Sequence, residues 1–232
     1  MRKFLLAFLI LPLLISCKKQ TKEYLTIEGF AQGTTYSIVY YDSLNRDFSS
    51  SFDSLFTVID NSMSVYNDSS IISKFNRNGI SVVDAQLAEV ITIADSIYRE
   101  TDGAFDITVG PVIKLLGFWK DKAKGIDSSK VKSLLPLIGM NKIKLEGFNL
   151  TKSNPKIQID VNAIAQGYTV DVFGCFLLSK GVNNYLVEVG GEITAQGVNS
   201  RDTCWVVGLD KPVENAMPGE NIQTKIYLSG GK

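Results

Sequence analysis

The stretch IDVNAIAQGYTVD, residues 159–171, places a carboxylate between a predicted strand and a predicted helix. Alternation of apolar and polar residues over 157–161 predicts a half-buried strand. Asn162 then predicts a helix N-cap, and the amphipathic pattern that follows predicts a helix that Gly181 terminates. Asp160 would therefore lie at the corner where the strand meets the helix.

A strand-to-helix corner can also hold a ligand, because the first N–H groups of a helix carry partial positive charge and bind phosphate. The negative charge of the Asp160 carboxylate would repel a phosphate unless a cation lay between the two groups. Two hypotheses stay open on this fragment alone. Either Asp160 lies beside a cation and a phosphate, or it only helps to cap the helix.

The N-terminus has the pattern of an export signal. Two basic residues precede an apolar run over 4–15, which only Pro12 interrupts, and the run leads into a lipobox that ends at Cys17. The run is shorter than a typical membrane-spanning helix. We expect a lipoprotein signal peptide at 1–17, a lipid on Cys17 and a tether at 18–24. A plain secretory signal with a chance cysteine is the alternative.

The composition excludes several classes of function. The 232 residues include 24 basic and 24 acidic side chains, and the basic ones are dispersed, so nucleic acid is not an expected partner. The absence of histidine excludes Ser-His-Asp and Cys-His nucleophiles and imidazole zinc sites. The groups that remain available for chemistry are carboxylates, hydroxyls, backbone groups and a hard cation. We expect Cys175 and Cys204 to be buried free thiols.

The rest of the chain interleaves strand and helix patterns. The predicted strands are a hairpin over 24–41 broken at Gly29 and Gly33, strands near 143–145 and 185–189, and a buried strand over 205–209. The first predicted helix has a buried stripe at Phe52, Leu55, Phe56 and Ile59, and it is followed by a short helix capped by Asn67 or Asp68 and a helix capped by Asp84. A further helix starts at Asp127 or Ser128, with Val131, Leu134, Leu135 and Ile138 facing inward. This mixture predicts an α+β (mixed α/β) domain over 25–232, with antiparallel-rich sheets and packed helices.

Five ordered motifs resemble those of a known family. They are Gly33-Thr34-Thr35-Tyr36; Ser62-Met63-Ser64-Val65-Tyr66 with Ser73-Lys74-Phe75-Asn76; Gly103-Ala104-Phe105-Asp106-Ile107-Thr108-Val109-Gly110-Pro111; Asp160-Val161-Asn162-Ala163-Ile164-Ala165-Gln166-Gly167-Tyr168 with Asp171; and Val189-Gly190-Gly191-Glu192. With them the chain resembles the flavin transferases of the thiamine-biosynthesis lipoprotein family, the FAD:protein FMN transferases.

The resemblance implies a T-fold-like flavin transferase fold in a membrane-anchored bacterial lipoprotein of the periplasm, which binds FAD and Mg²⁺. It implies that the FAD pyrophosphate is cleaved, that FMN passes to a threonine hydroxyl of a partner flavoprotein, and that AMP leaves. The acceptor that the resemblance implies is a flavin-carrying subunit of an ion-pumping quinone reductase type of complex, which is the usual acceptor in this family. Two alternatives stay open: a Mg²⁺-dependent FAD pyrophosphatase, and a non-catalytic FAD-binding lipoprotein.

The resemblance also implies which residues form the site. Carried over to this sequence, the residues that would line FAD are Gln32, Tyr66, Ala104, Phe105, Asp106, Asp160 and Gln166. Ala163 would offer its main-chain carbonyl to Mg²⁺. No residue is assigned a catalytic role.

The sequence departs from the family pattern at two points. Gln166 stands where many members carry lysine, which removes one positive charge from the expected site. The chain also reaches Lys232 without the His-Ile-x-Asp-Pro-x-Thr-Gly and Asp-Ala-x-x-Thr segments of the family, the second of which carries two side-chain metal ligands. We therefore expect a C-terminally truncated domain that is weakly active or inactive by itself.

Overall fold

The computed structural model describes residues 22–78, 82–119, 128–214, 216 and 219–228. The predicted signal peptide, the lipid-bearing Cys17 and most of the predicted tether lie outside these residues. Within the described part of the chain, no helix is long and apolar enough to cross a membrane.

Helices and strands are interleaved as the sequence predicts. The strands are β1 (Leu25–Ala31), β2 (Thr34–Tyr41), β3 (Ile143–Glu146), β4 (Asn149–Lys152), β5 (Asn184–Val189), β6 (Glu192–Gln196), β7 (Trp205–Asp210) and β8 (Ile222–Leu228). The helices are α1 (Ser49–Met63), α2 (Ile71–Asn78), α3 (Ala85–Glu100), α4 (Gly110–Leu115), α5 (Ser128–Leu134) and α6 (Asn162–Ser179), with 3-10 turns at Ile107–Val109, Leu135–Leu137 and Met140–Lys142.

The main sheet has four antiparallel strands in the order β1-β2-β5-β6. It consists of two hairpins, β1–β2 and β5–β6. The hairpins join because β2 pairs with β5, with Ile38 opposite Val187. Their two-residue turns, Gln32–Gly33 and Gly190–Gly191, have positive φ at both positions, as tight hairpin turns require. The register of β2 with β5 brings both turns to the same end of the sheet. Gly29 lies inside β1, so the predicted break at this glycine is wrong.

Helices α1, α3 and α6 pack together, and α6 also packs against β5 and β6. The predicted stripe on α1 is confirmed: Phe52, Phe56 and Ile59 are buried. Phe173 of α6 stacks on Phe52, with ring centroids 5.1 Å apart, and meets Phe56 edge-on at 4.7 Å. Burial of aromatic side chains of this size supplies much of the hydrophobic stabilisation of a core. With its antiparallel sheets and packed helices, the molecule has the predicted α+β fold.

Side-chain caps define two of the helix starts. The predicted cap of α3 is confirmed, because the Asp84 carboxylate accepts a hydrogen bond from the Leu87 N–H. At α2 the predicted cap is wrong. The hydroxyl of Ser70, and not Asn67 or Asp68, accepts the Ser73 N–H at 3.1 Å. The buried Ser70 therefore supplies the cap in place of the two residues that the sequence pattern favours.

The segment 157–161 is largely buried but does not form a strand, so that prediction is wrong. Its Ile157, Ile159 and Val161 side chains are fully buried, which explains the apolar alternation. Its backbone pairs with a side chain instead of a neighbouring strand: the Asn76 amide donates to the Ile159 carbonyl and accepts its N–H, both at 2.8 Å. The Asp160 N–H donates to the Ile107 carbonyl at 2.7 Å.

Three further predictions differ from the structure. Helix α5 begins at Ser128 and contacts α4; of its predicted inward-facing residues, Val131 and Leu134 are half-buried and none is fully buried. In β7 only Trp205 is buried, because its sheet partner, β8, is itself mostly exposed. Cys175 and Cys204 are free, as expected, but Cys175 is exposed and Cys204 is half-buried.

Candidate functional site

A cavity of about 930 Å³ opens at the end of the main sheet where the turn Gln32–Gly33 lies. The C-terminal end of α1 and the loop after it form one wall, and residues 104–109 with part of α4 form another. The N-terminal turns of α6 form a third. A cavity of this volume lies in the range of sites that bind small molecules and cofactors.

The structure brings together all eight residues that the resemblance assigns to the site. Those that line this one cavity are Gln32, Tyr66, Ala104, Phe105, Asp106, Asp160, Ala163 and Gln166. They come from four separate parts of the chain, which meet only in the folded molecule. Their contacts with FAD and Mg²⁺ are predictions.

Asp160 has the capping role and also lines the cavity. Its Oδ1 accepts the Asn162 N–H at 2.8 Å, which satisfies a backbone donor at the start of α6. The N-cap position of the helix is Val161, so the prediction that Asn162 is the cap is wrong. The Oδ2 atom accepts the indole N–H of Trp119 at 2.6 Å and the Asn162 amide at 3.4 Å. Only 7% of Asp160 is exposed.

The motif from Gly103 to Pro111 is fixed by turns at both of its ends. Asp102 and Gly103, with φ of 55° and 82°, end α3 and direct the next residues into the cavity wall. Asp106 then caps a 3-10 turn, because its Oδ1 accepts both the N–H and the hydroxyl of Thr108, at 2.7 and 2.6 Å. A Cβ on Gly110 would lie 2.6 Å from the Gln158 carbonyl oxygen, so glycine permits this close packing.

Two glutamines connect the hairpin turns to α6. The Gln32 amide bonds to the Thr169 hydroxyl at 3.0 Å, and this hydroxyl donates to the Ala165 carbonyl at 2.8 Å. Gln166 lies against the second turn: a Cβ on Gly190 would come within 2.9 Å of the Gln166 Nε2 atom. The sheet and the helix therefore hold each other at the cavity.

Sequence reasoning missed Asp60, which lines the cavity from the last turn of α1. Burial raises the pKa of the Asp60 carboxyl, and a hydrogen bond from Gln32 partly offsets this increase. Asp60 comes directly after Ile59, a buried residue of the stripe, and a polar residue at such a position normally faces solvent. The sequence therefore contained no signal for its burial.

The segment after α4 was also missed. Gly117, with φ of 81°, ends this helix in a Schellman motif, in which the Phe118 N–H donates to the Ile113 carbonyl at 3.2 Å. Phe118 and Ile113 then line the cavity, and the Phe118 carbonyl accepts the Tyr66 hydroxyl at 3.2 Å. The Leu-Gly-Phe sequence is the signal that predicts such a turn.

The donors and charges of the wall fit a magnesium ion only in part. Among the cavity-lining residues that the structure describes, there are three carboxylates, Asp60, Asp106 and Asp160, and no lysine or arginine. No three carboxylate or thiol side chains in the described ranges are grouped to hold a metal. The Ala163 carbonyl is one suitable oxygen ligand, whereas Mg²⁺ requires about six oxygen ligands in total.

Comparison with known proteins connects this cavity to a family. A model described as the ApbE family matches residues 32–231. A protein named FAD:protein FMN transferase from Vibrio cholerae is 32% identical over 221 residues, covering 91% of this chain and 66% of the relative. One of the same name from Haemophilus influenzae is 31% identical over 214 residues, covering 86% and 62%. The chain therefore spans less than two thirds of the length of either relative.

A solved structure agrees with these sequence matches. The flavin transferase ApbE from Vibrio cholerae superposes with a TM-score of 0.76 at 31% identity, over 82% of this chain and 65% of that one. This likeness agrees with the predicted flavin transferase fold. Since the family match covers most of the chain and the fold agrees with it, the chain belongs to the ApbE family.

Proposed function

We propose that the protein transfers the FMN part of FAD to a threonine hydroxyl of a partner flavoprotein. One observation carries the proposal: the eight residues named from the family motifs all line the same cavity in a chain of the ApbE family. The names of the relatives from Vibrio cholerae and Haemophilus influenzae support the same reaction.

The proposed transfer is a substitution at phosphorus. The threonine oxygen forms a bond to the phosphorus of the FMN half, and the bridging P–O bond of the pyrophosphate breaks. AMP leaves with the electron pair of that bond, and the hydroxyl proton passes to solvent. Such reactions require mainly positioning and charge stabilisation from the protein, so they do not need histidine.

The cavity residues would bind and orient FAD. Gln32 and Gln166 present amides, which can bond to flavin carbonyls and ribityl hydroxyls, and Asp160 presents a carboxylate, which can accept a hydroxyl or ring N–H. Tyr66 and Phe105 add aromatic surfaces on which a flat ring can pack. Ala104 and Asp106 would complete the wall.

Magnesium is part of the proposal because of the charge of the site. The described wall bears carboxylates and no cationic side chain, so a pyrophosphate needs a positive charge from another source. A bound Mg²⁺ would supply this charge, and the Ala163 carbonyl would be one of its oxygen ligands. The helix start at Asn162 adds partial positive charge.

We also propose where the protein acts and on what. A lipid on Cys17 would anchor the domain of 25–232 to a bacterial membrane, on its periplasmic or extracytoplasmic side, through the tether at 18–24. The acceptor would be a flavoprotein subunit of an ion-pumping quinone reductase type of complex. The lipobox supports the membrane anchor, and the resemblance supports both the location and the acceptor.

Mass spectrometry of an acceptor domain incubated with the full-length protein, FAD and Mg²⁺ tests the proposed reaction. We expect the acceptor to gain one FMN, and an acceptor with its target threonine changed to alanine to gain none. Asp160→Ala should reduce the rate at least tenfold. Asn183→Ala, at an exposed residue that does not line the cavity, should leave it unchanged.

Two other results would identify the alternatives. Free FMN and AMP with an unmodified acceptor would indicate an FAD pyrophosphatase. FAD that stays bound and intact in the presence of Mg²⁺ would indicate a non-catalytic FAD-binding lipoprotein.

A further inference from the structure

The shortest side-chain contact to Asp160 comes from a residue outside the family motifs. The indole N–H of Trp119 donates to the Asp160 Oδ2 atom at 2.6 Å, across 41 residues of sequence. Hydrogen bonds to a carboxylate are shorter and stronger than those between neutral groups. This bond connects the segment after α4 to the start of α6.

The hydrogen bonds of Asp160 divide between its two oxygens. The helix start occupies Oδ1 through the Asn162 N–H at 2.8 Å. Besides Trp119, Oδ2 has only the Asn162 amide, at the long distance of 3.4 Å, among its partners in the described structure. Because Asp160 is buried, loss of the indole N–H would leave a carboxylate oxygen poorly satisfied.

The Trp119 ring is itself held in place. The left-handed turn at Gly117 brings the chain back toward the cavity after α4. The ring packs against the hydrophobic core, and the Lys114 ammonium lies 6.0 Å from its centroid. The indole therefore presents its N–H to Asp160 from a defined direction.

We propose that Trp119 is a positioning residue for the dinucleotide site. Its indole N–H fixes the orientation of the Asp160 carboxylate, so that the remaining lone pairs face the cavity where FAD binds. This inference rests on the proposed function, since it takes FAD as the ligand that meets Asp160. It adds to the site a residue that acts on FAD through Asp160.

The variant Trp119→Phe tests the inference, because it keeps an aromatic ring and removes the N–H. We expect the Kd for FAD, measured by calorimetry with Mg²⁺ on the full-length protein, to rise about tenfold. Trp205→Phe is the matched control: it also removes an indole hydrogen bond, from Trp205 to the Gln196 carbonyl at 2.9 Å, and does not touch the cavity. Its Kd should stay within about twofold of the wild-type value.

A double-mutant cycle separates positioning from a general loss of structure. If Trp119 acts through Asp160, Trp119→Phe should have little further effect on the Kd in the Asp160→Ala background. Trp119→His, which keeps a ring N–H, should bind FAD more tightly than Trp119→Phe. Thermal unfolding of each variant checks that it is folded.

The outcomes distinguish this inference from the proposed function. An unchanged Kd in Trp119→Phe, a full loss of affinity that persists in the Asp160→Ala background, or no advantage of Trp119→His would overturn the positioning role alone. If the wild-type protein does not bind FAD, the proposed function fails and this inference fails with it.

Discussion

Gly190 and Gly147 have nearly the same backbone conformation, with φ of 62° and 59°, but different surroundings. A Cβ on Gly147 would meet nothing within 4 Å. On Gly190 it would lie 2.8 Å from the Thr34 Cγ2 atom and 2.9 Å from the Gln166 amide. At the residue scale, the Gly-Gly turn of the β5–β6 hairpin is therefore also a contact surface for the cavity.

This pair of glycines gives a prediction about Gln166. Gly147→Ala should lower the free energy of unfolding by about 1 kcal/mol, the cost of a left-handed L-residue. Gly190→Ala should lower it by about 2–4 kcal/mol, because the new methyl group also clashes with Thr34 and Gln166. Urea denaturation measures both values. FAD affinity should fall only in Gly190→Ala, and an equal fall in both variants would contradict a role for the Gln166 contact.

Single cavity residues could be predicted where their short motifs resemble those of a known family. Gln32, Asp106 and Asp160 belong to short motifs in which glycine or a cap fixes the nearby backbone, and all three line the cavity. Asp60 and Trp119 could not be predicted, because their environment depends on contacts with residues far away in the sequence.

At the element scale, the segment 157–161 needs Asn76 in place of a neighbouring strand. The amide of Asn76 donates and accepts at Ile159, so it satisfies one backbone carbonyl and one N–H that are buried. Lys152 adds a bond from its ammonium to the Ile157 carbonyl at 2.9 Å. These side chains fix the backbone immediately before Asp160.

We expect Asn76→Ala to destabilise the protein by about 2–4 kcal/mol, because it leaves the buried backbone groups of Ile159 without partners. The same change should weaken FAD binding, since the segment carries Asp160 into the cavity wall. Asn183→Ala is the control at an exposed asparagine and should alter stability by less than about 0.5 kcal/mol. Chemical denaturation tests both, and equal stability of the two variants would show that the Asn76 bonds are unimportant.

Helix α5 illustrates what periodicity cannot determine. Its apolar spacing predicts an amphipathic helix, and the helix contacts α4, but Val131 and Leu134 are only half-buried and none of its residues is fully buried. Spacing determines which residues share a face, whereas burial depends on whether another element covers that face.

At the scale of the whole molecule, the cavity depends on the meeting of several elements. The two hairpins, α1, the 104–119 region and α6 each contribute a part of the wall or support it. No one of them would form the site in isolation. A ligand that contacts several of them at once should therefore stabilise the entire fold.

A thermal shift assay tests this linkage. FAD at about 100 times its Kd, with Mg²⁺, should add about 2.7 kcal/mol to the free energy of unfolding and raise Tm by roughly 5–10 °C. Riboflavin at the same concentration lacks the pyrophosphate and should raise Tm by clearly less. Equal shifts with the two ligands would contradict a contribution of the phosphates to binding.

The resemblance to a family suggested the residues that line the cavity. The sequence by itself determined the α+β mixture, the hairpin near residues 24–41 and the buried stripe of α1. These features depend on local turns, caps and alternation of polarity, which act over a few residues. Only the tertiary structure decided that 157–161 pairs with a side chain, that the apolar face of α5 is only half-buried, that Asp60 lines the cavity and that Trp119 bonds to Asp160. Burial and long-range hydrogen bonds decide these features, and both arise only when distant segments pack together.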